Sequence, residues 1–66
     1  MELDIGTALK IKRFRIMRGY MQKELAAKAG VSREALNRVE NGKQEAGTKI
    51  LHDIAIALEV KISDLL

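Results

Sequence analysis

The sequence predicts an all-α fold, a compact five-helix bundle, and three observations carry that prediction. Apolar residues recur at helical spacing along most of the chain, glycines and short polar stretches fall where each run stops, and no segment alternates as a strand does. No repeat, low-complexity segment or linker interrupts the 66 residues, so 1–66 is expected to form a single domain around a single core.

The first helix is expected over roughly 5–18, where Ala8, Ile11 and Phe14 recur at three-residue spacing and Gly19 suits the left-handed position after a helix. The second spans 22–29, with Leu25, Ala26 and Ala29 on one side and Gly30 as its stop. Ser32 restarts the chain, because a serine oxygen accepts a hydrogen bond from the free N–H groups of the turn that follows. The third helix then runs 33–40, through Leu36 and Val39, until "NGK". After the loop "QEAGT", Gly47 or Thr48 caps a fourth helix at 48–58, with Ile50, Leu51, Ile54, Ala55 and Leu58 facing inward. Ile62, Leu65 and Leu66 close the chain as a short fifth helix, 62–66. The connection "AGVS" between the second and third helices is too short for an antiparallel hairpin and suits two helices that cross steeply, the geometry of a helix-turn-helix.

Composition excludes several classes. Cysteine is absent, so neither a disulfide framework nor a thiolate zinc site supports a core this small. No apolar run approaches the roughly 18 residues of a membrane span, and "MELDIGTALK" lacks the basic-then-apolar layout of a secretory signal. A soluble cytoplasmic protein is expected. Charge is divided along the chain: from Ile5 to Lys43 ten Lys and Arg face three acids, a balance of +7, and the rest carries −4. That division suits an anionic partner on one face, the alternative being a solvated helix surface.

The third helix gives the charge a use. Val31, Leu36 and Val39 are needed by the core and Ala35 permits close approach, which leaves Arg33, Glu34, Asn37 and Arg38 on the outer side. Arginine pairs bidentately with guanine O6 and N7, asparagine similarly with adenine, and a carboxylate accepts from cytosine N4. The four side chains together carry the chemistry of a helix that reads the major groove.

Gln22, "ELA" at 24–26, "AGVS" at 29–32 and "VENGK" at 39–43 resemble the helix-turn-helix of the lambda-repressor/Cro-type family, also called the XRE family. The resemblance extends to Arg15 upstream and to "IAIALEV" (54–60) and "SDLL" (63–66) downstream, so it covers roughly residues 8–66. It implies a lambda-repressor-like fold whose third helix lies in the major groove of double-stranded DNA, with binding as a homodimer. Carried over by position, it assigns Arg33, Glu34, Asn37 and Arg38 to base edges, and Gln22, Ser32, Asn41 and Lys43 to the DNA backbone. It also implies an internal salt bridge between Arg15 and Glu40. A phosphate beside Gln22 is favoured independently, since a helix N-terminus presents unpaired N–H donors.

Some positions depart from the family pattern. Met21 stands where the family usually has a capping Thr, Ser or Asn, so the second helix is expected to lose one cap or to begin differently. Ala46 and Gly47 replace a common proline and serine, and Glu59 and Lys61 replace a frequent Gly and Ser. Glu34, close to phosphates, is expected to find a cytosine amino group or to pair with Arg38 one turn away and orient it.

Other chemistry is sparse. The single histidine, His52, is expected to be a partly buried ring rather than a metal ligand, and Asp53 beside it points to another face. No Ser-His-Asp set, metal cluster or glycine-rich phosphate loop can be assembled, so neither an enzyme nor a bound cofactor or metal is expected. Leu9, Ile16 and Ile56 lie off the main apolar stripes. They are expected to pack beneath a terminal segment, the alternative being a dimer contact at the end of the chain made by Ile56, Val60, Ile62 and Leu66. The expected function is sequence-specific transcriptional regulation, most simply repression, on a pseudo-palindromic operator. At this length no sensing domain is expected, so control falls to concentration or to a protein partner such as a toxin or antirepressor. An antitoxin or other protein-interaction module on the same fold is the competing expectation.

Overall fold

The computed structural model describes residues 5–66, with the side chain of Ile5 excepted, so residues 1–4 of the expected domain lie outside the described residues. Four α-helices follow one another: α1 (Ile5–Met17), α2 (Gln22–Ala29), α3 (Arg33–Glu40) and α4 (Thr48–Leu58). The expected fifth helix is instead a single 3-10 turn, Ile62–Asp64. Its bonds run Asp64 N–H to the Lys61 carbonyl and Leu65 N–H to the Ile62 carbonyl, and Asp64 Oδ2 accepts from Lys61 N–H at 2.9 Å. Five residues are too few to nucleate an α-helix, and the aspartate draws them into the tighter turn. The apolar spacing still has its effect, since Leu65 is fully buried.

The core is built from Ile11 of α1, Leu25, Ala26 and Ala29 of α2, Leu36 and Val39 of α3, Leu51, Ile54, Ala55 and Leu58 of α4, and Leu65. Phe14, Tyr20, Val31, Ile50, Val60 and Ile62 pack around it, half-buried. α2 lies against both α3 and α4, and α3 also meets α1, so α1 and α2 together set the attitude of α3.

Every helix ends by the same device. Just past each helix end an N–H returns to a carbonyl five residues back: Tyr20 to Arg15, Val31 to Ala26, Lys43 to Arg38 and Val60 to Ala55. This closure requires a left-handed residue just before the returning N–H. Gly19, Gly30 and Gly42 provide it at φ 74°, 71° and 69°, whereas at the fourth end it falls to Glu59 at φ 59°. Arg18 reinforces that end, its Nε donating to the Leu58 carbonyl at 2.9 Å and its Nη2 to that of Glu59 at 3.3 Å.

Two side-chain expectations need correction. His52 is exposed, because the core face of α4 is already set by Leu51, Ile54, Ala55 and Leu58, which turns position 52 outward with Ile56. Leu9 and Ile16 expose 45% and 59% of their surface, so no described segment covers them. Ile56 is likewise 62% exposed.

Candidate nucleic-acid interface

Local chemistry fixes how α2 and α3 begin. Met21 occupies the N-cap of α2 in extended conformation without a side-chain cap, and Glu24 compensates by accepting from Met21 N–H at 2.8 Å. Half of a capping box is thus kept although its usual first member is missing. Ser32 caps α3 as its sequence position predicts, Oγ accepting from Ala35 N–H at 3.0 Å. The hydroxyl proton of Ser32 is left to donate elsewhere.

Between these helix starts, Gln22, Arg33, Glu34, Asn37 and Arg38 line an open concavity of about 390 Å³. Arg33, Glu34, Asn37 and Arg38 are all exposed. Neither Arg33 nor Glu34 has a hydrogen-bond or ion-pair partner among the described residues. The expected Glu34–Arg38 pair is not formed: Arg38 Nε donates to Gln44 Oε1 at 2.8 Å. The turn at Gly42 brings Gln44 back alongside Arg38, and a neutral amide there takes the place of the carboxylate one turn away.

Behind the concavity runs a chain of side-chain hydrogen bonds. Arg15 Nε donates to Glu40 Oε2 at 2.8 Å, with 13% and 1% of the two side chains exposed. Arg15 Nη1 also donates to the Tyr20 carbonyl at 2.8 Å. The other oxygen of Glu40 accepts from Gln22 Nε2 at 3.2 Å, and Gln22 Oε1 accepts from Asn37 Nδ2 at 3.3 Å. Asn37 Oδ1 in turn accepts from Asn41 Nδ2 at 3.1 Å. A buried ion pair between α1 and α3 is therefore connected, through the first residue of α2, to the exposed face of α3. Gln22 and Asn37 each retain one N–H and one lone pair, and Asn41 one N–H and its whole carbonyl oxygen, for an external partner.

Lys43 stands exposed at the C-terminal side of this face, its backbone N–H returning to the Arg38 carbonyl. Ile56 and Leu66 are exposed, whereas Val60 and Ile62 are half-buried against the core. Sequence reasoning missed Gln44. Six residues from Arg38, it has no helical register to announce it, and only the left-handed Gly42 brings the two together.

Among the described residues no helix is long and apolar enough to cross a membrane, and no three His, Cys, Asp or Glu side chains are placed to hold a metal ion.

Comparison with known proteins meets this geometry. Residues 11–65 match the helix-turn-helix family HTH_3. An uncharacterised HTH-type transcriptional regulator from Methanocaldococcus jannaschii is 38% identical over 56 residues, 85% of each chain. The restriction-modification controller protein C.AhdI from Aeromonas hydrophila superposes with a TM-score of 0.91 over 94% of both chains at 22% identity, a likeness of fold. The biofilm master regulator SinR, solved in complex with DNA, superposes with a TM-score of 0.85 at 32% identity, over 89% of this chain and 95% of SinR. The chain belongs to the helix-turn-helix family HTH_3 and is an XRE-type transcriptional regulator with a DNA-binding fold, not an enzyme.

Proposed function

We propose that the protein is a sequence-specific repressor, a single helix-turn-helix domain that binds a pseudo-palindromic operator as a homodimer with α3 of each copy in the major groove. The observation that carries this reading is the exposed face of α3, where two arginines, a carboxylate and an amide converge on one concavity beside the N-terminus of α2. Arg33, Glu34, Asn37 and Arg38 read base edges, the arginines by their fit to guanine and Glu34 by accepting from a cytosine amino group. Gln22, Ser32, Asn41 and Lys43 hold the phosphate backbone and fix register without specifying sequence. Free N–H donors at the start of α2 favour a phosphate next to Gln22.

The likeness to SinR, a regulator solved in complex with DNA, supports DNA as the partner of this face. A chain 31 Å in its longest extent is of a size to set two recognition helices about 34 Å apart, one turn of DNA, when two copies meet through Ile56, Val60, Ile62 and Leu66.

Selection of bound duplexes from a random library, at about 150 mM salt so that phosphate contacts alone bind weakly, tests the proposal. A palindromic winner preferred over a scrambled duplex by about a thousandfold or more is expected. Weak and equal binding to both would make the helix-turn-helix a scaffold for a protein partner such as a toxin or antirepressor.

A further inference from the structure

Arg38 is exposed, yet its guanidinium is engaged: Nε donates to Gln44 Oε1 at 2.8 Å. Gln44 is half-buried and belongs to the scaffold, lining a cleft of about 270 Å³ between the start of α1, Val39 of α3 and Leu51 of α4. The backbone leading to it is fixed by Gly42 at φ 69° and by the bond from Lys43 N–H to the Arg38 carbonyl at 2.9 Å. One partner of the bond is therefore held by the loop and the core, while the other projects toward the concavity.

A guanidinium has five N–H donors in a planar fork, and two different edges of the fork present paired donors, one of which includes Nε. Committing Nε to Gln44 removes that side edge from use. The edge between Nη1 and Nη2 is left, and its two parallel donors match guanine O6 and N7. A long exposed side chain that would otherwise sample many rotamers is thereby held in one orientation before DNA arrives.

We propose that Gln44 is a positioning residue that selects the Nη edge of Arg38 for base contact and so sharpens the preference for guanine at one base pair of each half-site. This inference rests on the reading of Arg38 as a base contact. Gln44 itself touches no base. Its effect passes through Arg38.

The test measures affinity of the full chain for a panel of duplexes in which each base pair of the selected operator is replaced in turn. The variants are Arg38→Ala, Gln44→Met, Gln44→Glu and the double variant Arg38→Ala/Gln44→Met, with thermal melts of each. Arg38→Ala is expected to flatten the preference at one base pair per half-site. Gln44→Met keeps the side-chain length and loses the acceptor. It is expected to weaken that same preference by about tenfold, the equivalent of one hydrogen bond, while other positions and the melting temperature hold. Gln44→Glu retains an acceptor and should retain the preference at that position, with a uniform loss of affinity from its charge. In the Arg38→Ala background, Gln44→Met should change nothing further at that base pair. A Gln44→Met effect spread evenly over the panel, an unaltered preference, or an additive double variant would overturn the role of Gln44 alone. If Arg38→Ala flattens no position, the base-contact reading of Arg38 fails, and the role of Gln44 falls with it.

Discussion

Arg15 and Glu40 form an ion pair of 2.8 Å that fastens α1 to the last residue of α3, with the glutamate side chain only 1% exposed. Removing one member leaves a buried charge without its counter-ion, a loss of about 3–5 kcal/mol. A domain of this size has a total stability of about 3–10 kcal/mol, so Arg15→Ala or Glu40→Ala is expected to remove much of it. Urea unfolding followed by helical circular dichroism measures the change. A loss below about 1 kcal/mol, the range of surface pairs, would mean that the pair is solvated in solution.

Glu59 performs with a side chain what Gly19, Gly30 and Gly42 perform without one. A left-handed residue bearing a Cβ is strained by about 1–2 kcal/mol, and part of the relief on substitution is offset by the greater freedom of an unfolded glycine. Glu59→Gly is therefore expected to stabilise the fold by about 0.5–1 kcal/mol and raise the Tm by several degrees. The hydrogen bonds from Arg18 to the carbonyls of Leu58 and Glu59 use backbone acceptors and survive the change. An unchanged or lowered Tm would show that the glutamate side chain makes a compensating contact.

How much of this was legible in the sequence depends on whether a feature is local. The four α-helices, the Ser32 cap and the glycine stops at 19 and 30 follow from side-chain spacing and turn chemistry within a few residues. Apolar spacing at the end of the chain suggests a fifth helix, but it locates Leu65 in the core equally well from a 3-10 turn. His52 is exposed rather than partly buried because one apolar face already fills the space α4 shares with its neighbours. In the candidate site, residue types and the exposed face of α3 could be read directly. Their hydrogen-bond partners could not: Arg38 to Gln44 and Asn37 to Gln22 join different elements, and the i,i+4 rule offered only Glu34 for Arg38.

Lys43 follows α3 and has its side chain exposed. In the proposed complex this lysine neutralises a phosphate, so Lys43→Ala is expected to weaken binding to operator and scrambled duplex by similar factors. The slope of log affinity against log salt should fall by about one charge. Titrations at several salt concentrations read both effects. A change in which sequence is preferred would instead place Lys43 against a base edge.

Ile56, Val60, Ile62 and Leu66 are not equivalent candidates for a dimer contact. Val60 and Ile62 pack against the core, so substituting either disturbs folding as well as any association. Ile56 is 62% exposed and Leu66 64%, and the fold does not depend on either being covered. A lysine at position 56 places a charge within the proposed apolar twofold contact, where burial without a counter-charge is costly. Ile56→Lys is accordingly expected to leave the thermal melt of the monomer unchanged while weakening self-association by about tenfold or more in sedimentation equilibrium. Operator binding should then become steeper in protein concentration, because assembly of the dimer moves from free solution onto DNA. An Ile56→Lys protein that associates as the unsubstituted chain does would remove this face of α4 from the dimer, and the exposed Leu9 and Ile16 of α1 would become the surface to substitute next.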